Sequence, residues 1–367
     1  MAETEKTVEA VSFACTSCGA DLKYQPGTQH LSCEYCGAAN EIPLAIAEIE
    51  ELDFKAYLAN KSTQEVQFTE HFIKCENCGA ASTIAPNIVA ASCPYCDTPL
   101  IVENASDESV IQPKSLLPFK LNGKEAQNEF KTWVNKLWFA PDDLKKAVLN
   151  FDHFRGIYIP YWTFDTDTSS SYTGQRGEHY YVTQTYRTTE NGKSVTKTRQ
   201  VQKTRWYFVS GRVHKSFDDI LTVATKSLPQ KYIYKLEPWD LENLVPFEKS
   251  YLSGFITEKY QIELEEGFEI AKDIAAAEIQ NLVRWDIGGD EQRILSVNTK
   301  YNDITFKHLL LPVFVSAYNF KGKLYQFLVN GRTGEVQGER PYSWIKIALT
   351  VAAALIVIAI VVYFVNA

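Results

Sequence analysis

Apolar and polar positions alternate differently along this chain, and the changes of rhythm divide it. Within Leu44–Asn60, Ile46, Ile49 and Leu52 fall at helical spacing and predict a connecting helix. Asn122-Gly-Lys-Glu125 has capping-box spacing and opens a helix with Phe130, Trp133, Val134 and Leu137 on one face. Ala140-Pro141 interrupts it, and Pro141-Asp-Asp-Leu144 starts a second short helix. Gly156-Ile-Tyr-Ile-Pro-Tyr-Trp-Thr-Phe164 reads as a buried strand. From Tyr172 to Val213, Thr, Val and Tyr alternate on both sides of Asn191-Gly192, which predicts a long hairpin with a two-residue turn. A strand at Ile220–Ala224, a short helix at Pro238–Leu244 and an extended stretch at Tyr251–Leu264 follow. Glu265–Asp286 is amphipathic, with Ile274, Ile279, Leu282 and Val283 on its apolar side, and Gly288-Gly289 ends it. Further strands turn at Asn302-Asp303, Lys321-Gly322 and Asn330-Gly331. Ile159-Pro160 and Leu311-Pro312 sit in similar surroundings, which fits either an internal duplication or two similar strands of one sheet.

The pattern ends in nineteen uncharged residues, Ile347 to Val365. At 1.5 Å per residue they cover roughly 28 Å, close to the thickness of a hydrocarbon core. Trp344 and Tyr363 fall near the two interfaces, and Arg340 and Lys346 flank only the N-terminal side. A single-pass helix over 345–365 is expected, with the N-terminus in the cytoplasm. The polar, acidic start MAETEKTVEA has no signal-peptide character.

Cysteine placement adds chemistry. All eight cysteines form two quartets, Cys15, Cys18, Cys33 and Cys36, then Cys75, Cys78, Cys93 and Cys96. Each reads C-x2-C-x14-C-x2-C, and the second repeats the first sixty residues on. Two thiolates from a tight turn, met by two more from a returning hairpin, complete a tetrahedron around one ion. Gly19, Gly37, Gly79 and Asp97 follow the second cysteine of each pair and suit the left-handed backbone such a turn needs. Two structural zinc ions per chain are expected, with iron in a rubredoxin-like tetrathiolate site as the rival. Neither a redox C-x-x-C pair nor a secreted disulfide framework fits the four paired knuckles.

The segments resemble zinc ribbons of the general transcription-factor-B and replication-helicase type. The resulting layout is a disordered 1–10, ribbon one at 11–44, a helical connector at 45–70 and ribbon two at 71–103. A linker at 104–118, an α+β domain with mostly antiparallel sheet at 119–340 and the transmembrane helix complete it.

Charge is unevenly spread. The net value is −8, but residues 1–110 carry seventeen acidic groups against five lysines. Acidic ribbons are poorly suited to phosphate backbones and better suited to protein contacts. Ser171–Lys215 instead holds nine basic residues against Glu178 and Glu190, interleaved with Tyr180, Tyr181, Tyr186, Trp206 and Tyr207. Arg187, Lys197, Arg199, Lys203, Arg205 and Trp206 form a candidate patch for an anionic ligand. Its alternatives are a solvated hairpin, anionic lipid headgroups, nucleic acid or an acidic partner. No catalytic motif appears. The one Gly-Lys-Ser, Gly192-Lys193-Ser194, has Arg187 where a phosphate-binding loop needs glycine.

Several blocks resemble a group of bacterial membrane proteins with twin ribbons and a C-terminal anchor, often labelled primosomal-helicase-like. They are Trp138-Phe-Ala-Pro141, Gly156–Trp162, Tyr251-Leu-Ser-Gly-Phe-Ile-Thr-Glu258, Leu311-Pro-Val-Phe314, Val329–Gly334 and Gly338–Pro341. The resemblance implies architecture more firmly than activity and suggests a membrane-stress setting; the leading expectation is a non-enzymatic adaptor at the cytoplasmic face of a bacterial inner membrane that recruits protein partners. The competing expectation is a membrane-tethered accessory that binds nucleic acid.

Overall fold

The structure is a computed structural model and describes residues 13–43, 49–59, 67–83, 90–96, 98–101, 106–143, 154–190, 193–320 and 323–366. The first quartet is carried by a three-stranded sheet of β1 (Leu22–Tyr24), β2 (His30–Cys33) and β3 (Ala39–Glu41). Strand β4 (Leu52–Asp53) and helix α1 (Phe54–Ala59) follow. The second quartet lies among β5 (Gln67–Lys74), β6 (Ala81–Thr83), β7 (Ala90–Ser92), β8 (Pro99–Ile101) and β9 (Ser106–Ile111). The body contains β10 (Ser115–Leu116), α2 (Gly123–Lys136), β11 (Arg155–Glu190), β12 (Lys193–Val223), β13 (Val245–Pro246) and β14 (Ile256–Thr257). It continues with α3 (Leu264–Ile287), β15 (Glu291–Phe320), β16 (Lys323–Asn330), β17 (Val336–Gly338) and α4 (Trp344–Asn366).

Nine strands make the central sheet, with the path β12-β11-β15-β10-β13 and with β4, β14, β16 and β17 attached at its sides. The sheet is mixed but, as expected, mostly antiparallel. β10 runs parallel to β15 and β14 parallel to β11. Both parallel strands are short pieces that reach the sheet through long connections, as parallel pairing demands. Ile159 pairs directly with Leu311, so the two look-alike segments are antiparallel neighbours.

Near its start β11 is buried on both faces. Ile157, Ile159 and Tyr161 point into a core shared with Leu309, Leu311 and Val313, while Trp162 and Phe164 face α3. That double burial explains the unbroken apolar run Gly156–Phe164. Gly267 of α3 and the ring of Trp162 nearly touch, and a Cβ on that glycine would lie 2.7 Å from the ring. Helix α2 has the expected capping box at Asn122 and Glu125, and Phe130 stacks on Phe327 with centroids 3.6 Å apart.

Four expectations need correction. Of the helical connector expected at 45–70, the described residues hold strand β4, where Leu52 pairs with Phe306, helix α1 from Phe54 to Ala59 and the start of β5. Ile46 lies outside the described residues. From Ser106 on, the expected linker at 104–118 holds strands, with β9 pairing β5 and β10 lying between β13 and β15. The turn at Asn302-Asp303 is a bulge within β15, where Asp303 has φ 47; Asn and Asp tolerate that backbone in a bulge as in a turn. Pro238–Leu244 holds only one 3-10 turn, Leu241–Asn243. The expected disorder of 1–10, the short helix of Pro141–Leu144 beyond Asp143 and the tips Asn191-Gly192 and Lys321-Gly322 fall outside the described residues, although Glu190 pairs with Lys193 and Phe320 with Lys323.

Candidate metal centres, their seats and the basic arm

Each cysteine knuckle is closed by a backbone bond from the following glycine: Gly19 to Cys15, Gly37 to Cys33 and Gly79 to Cys75. All three glycines have φ between 75 and 78, which a residue with a Cβ rarely adopts. Asp97, the fourth, lies outside the described residues. The four Sγ atoms of each quartet lie within 4.8 Å of one another. Cys15–Cys36 and Cys18–Cys33 are 3.6 and 3.5 Å apart, and Cys75–Cys96 and Cys78–Cys93 repeat those values. Four sulfurs at about 2.3 Å from one ion would stand about 3.8 Å apart, so the spacing fits a tetrathiolate centre and is far too long for disulfides. The hydrogen bond with Cys78 pulls the Cys93 thiol down to about 5, against burial, which pushes it up. Each quartet could therefore hold one metal ion.

Both modules are seated on one segment of the body, 249–261. Tyr24 N–H donates to Ser253 O at 3.0 Å, Ser253 Oγ donates to Leu22 O at 2.5 Å, and Tyr24 packs edge-on against Tyr251. The second module takes the other half of the segment. Lys259 N–H donates to Ala81 O, Thr257 N–H donates to Thr83 Oγ1, and Gln261 Nε2 donates to Gly79 O. Tyr95, between two cysteines, is fully buried and donates to Glu258 Oε2 at 2.7 Å, while Gln326 Nε2 donates to Tyr95 O. Glu258 also accepts from Thr225 at 2.7 Å and from Ser227. Burial drives its carboxyl up to about 7 against these hydrogen bonds. Sequence reasoning singled out Tyr251–Glu258 but gave it no role; its role here is to hold both cysteine modules.

A third cluster of groups that could hold a cation is Asp165, Asp218 and Asp219. The Lys307 ammonium occupies it, 2.9 Å from Asp219 and 4.0 Å from Asp165, with Glu51 at 3.0 Å on its other side. This cluster already holds its cation as a side chain.

The structure re-sorts the candidate anionic patch. Beyond the Gly177–Glu291 pair β15 ends, and β11 and β12 continue as a two-stranded arm to Glu190 and Lys193. Side chains of a strand alternate between faces. By register, Lys197, Arg199, Lys203 and Arg205 share one face with Tyr180, Val182, Tyr186 and Val201. Arg199 lies over Tyr186 at 5.5 Å and Arg205 over Tyr180 at 5.0 Å. Arg187 and Trp206 are on the opposite face, where Trp206 packs under Arg293 at 3.8 Å and the neighbours are mostly Thr, Ser and Gln. The continuous pairing fixes this split, which net charge alone does not show.

Helix α4 is long and apolar enough to cross a membrane, and its candidate span Trp344–Val365 has none of its apolar window buried. Its start is held by the Trp138–Pro141 block: Ser343 N–H donates to Phe139 O at 2.7 Å, and Lys346 Nζ reaches Ala140 O at 2.9 Å and Asp142 at 2.6 Å. Trp138 and Trp344, beside this junction, are 75% and 80% exposed.

Over 343 residues, 92% of this chain and 92% of the relative, the chain is 26% identical to the uncharacterized protein YdjG of Bacillus subtilis (strain 168). No family model matches the chain, and no solved structure matches it.

Proposed function

We propose that this chain is a non-enzymatic adaptor, anchored by α4 in the cytoplasmic membrane of a bacterium, with structural zinc in both cysteine modules and its N-terminal bulk in the cytoplasm. The observation that carries the reading is the separation of its two ends. β11 is 36 residues long, so it spans on the order of 115 Å between the residues near the anchor's seat and the tip of the arm. A continuous strand of that length, paired with β15 as far as Gly177 and with β12 alone beyond it, acts as a spacer that presents a charged surface away from the lipid-facing helix. Zinc suits the all-sulfur quartets, which leave no coordination position for substrate. Cytoplasmic placement agrees with reduced thiols and with Arg340 and Lys346 before the helix. Because both modules are packed onto 249–261, we assign them to bracing the body and assign partner contact to the arm; a role in membrane stress would follow from the partner.

Removing residues 344–367 is expected to release the chain to the soluble fraction and abolish crosslinked complexes formed on intact membranes. Retention at the membrane would place the anchor elsewhere. Failure of the full chain to crosslink any protein there would end the adaptor reading.

A further inference from the structure

Resting on the adaptor reading, we propose that the Lys/Arg/Tyr face of the arm is a docking site for an acidic amphipathic helix of a partner protein. The face is a continuation of one the fold already covers with such a helix. Inward of Arg176, the same side of β11 and β12 lies under α3, and a Cβ on Gly174 would meet the Ile287 side chain at 2.8 Å. α3 is itself acidic, with six carboxylates against Lys272 and Arg284. It meets this face through acid-to-sheet pairs: Glu278 with Lys215, and Asp286 accepting from Tyr172. The helix then stops, and Gly289 turns against Arg176.

Past that point the face keeps the character of a helix seat. Val182 is paired with Val201, and Tyr180 and Tyr186 lie among Lys197, Arg199, Lys203 and Arg205. Val182 and Val201 are half-buried, while Tyr180, Tyr186, Arg199, Lys203 and Arg205 are exposed. Thirteen residues per strand give a platform about 40 Å long, and two strands about 4.8 Å apart match the ~10 Å width of one helix of roughly 25 residues. A bare two-stranded ribbon is marginal in water, so a covering helix would also stabilise the arm.

Other occupants fit less well. A membrane surface calls for Trp, Phe or Leu among the basic residues, whereas this face offers valines and tyrosines and the bulky Trp206 and Phe208 are on the opposite one. Single-stranded nucleic acid would stack on the tyrosines, but Arg199 and Arg205 already cover Tyr186 and Tyr180.

The test uses the full chain in nanodiscs of neutral lipid. The probes are a helix-stapled peptide with a Leu/Ala stripe flanked by Glu, its Lys-for-Glu counterpart, a single-stranded oligonucleotide and anionic phosphatidylglycerol vesicles. The acidic peptide should bind, and more weakly as salt rises; the basic peptide should not bind. Arg199→Gln with Lys203→Gln and Arg205→Gln should weaken binding roughly tenfold, from three partly screened charge contacts. Thr185→Ala with Thr198→Ala, on the other face, should leave it unchanged. Matching metal content and far-ultraviolet circular dichroism would establish that the variants fold. No binding of the acidic peptide, equal binding by the triple variant, or tighter face-dependent binding of oligonucleotide or vesicles would overturn the proposal. Crosslinking of partners on membranes, retained by the triple variant, would overturn the arm as the site while leaving the adaptor reading standing.

Discussion

Glu258 is a buried carboxyl, 2% exposed, with three hydroxyl donors, Tyr95, Thr225 and Ser227. Glu258→Ala strands those hydroxyls and should cost about 2–4 kcal/mol, with the second module loosened first. The pH dependence has a definite sign. Burial raises the folded-state value from 4.5 to about 7, so the folded chain holds a proton that the unfolded chain releases near 4.5. The stabilisation is complete below about 4.5 and is lost as pH rises through 7. Between pH 6 and 8 the wild type should lose about 1 kcal/mol from this group and Glu258→Gln should lose none of it. Denaturant melts at the two pH values measure the difference, and an equal slope in both proteins would remove Glu258 as its source. Little of this was visible in the sequence. The cysteine ligands and their glycines were legible because they act within a few residues, whereas Tyr95 and Glu258 meet across 163 positions.

Elements were legible where local chemistry set them. The capping box at Asn122, the amphipathic stretch that became α3 and the hairpin around Asn191-Gly192 all follow from neighbours in sequence. Tertiary pairing decided the rest. Leu52 lies in a helix-spaced run but joins Phe306 in the sheet, and the Ser115–Leu116 pair looks like linker until β13 and β15 flank it. The extent of β11 was also hidden, since the apolar Gly156–Phe164 and polar Tyr172–Glu190 stretches have unlike patterns. They form one strand that passes from a core buried on both faces to an exposed arm. Where α3 crosses that strand, Gly267 rests on Trp162 with no space for a Cβ. Gly267→Ala gains helix propensity but must push the helix off the indole, and overpacking of this kind costs about 1–3 kcal/mol. A lower unfolding midpoint is expected, together with shifted Trp162 fluorescence. An unchanged or raised midpoint would mean that the helix can slide along the sheet.

At the scale of the molecule, the two cysteine modules behave as parts of the body's core. Cys15, Cys33 and Tyr24 belong to the same buried cluster as Phe119, Tyr158 and Phe314, and Cys75, Cys93 and Tyr95 to the cluster containing Ile157, Ile159 and Leu311. If each quartet holds structural zinc, a module this small would draw most of its stability from the ion, at an apparent ~10–16 kcal/mol each. Its loss should therefore be felt beyond the knuckles, because the seat at 249–261 would expose Tyr251 and Phe255 on one side and Glu258 on the other. Stoichiometric metal analysis is expected to return two ions per chain, with zinc and iron told apart by the visible absorbance of an iron–thiolate centre. Calorimetry of the holoprotein should show the modules and body melting in one cooperative transition, and a strong chelator should lower that whole transition. Two separate transitions, with the larger one insensitive to chelator, would mean that the modules only rest on the body. Cys18→Ser and Cys78→Ser make the same comparison without chelator, each expected to remove one ion and to depress the same single transition.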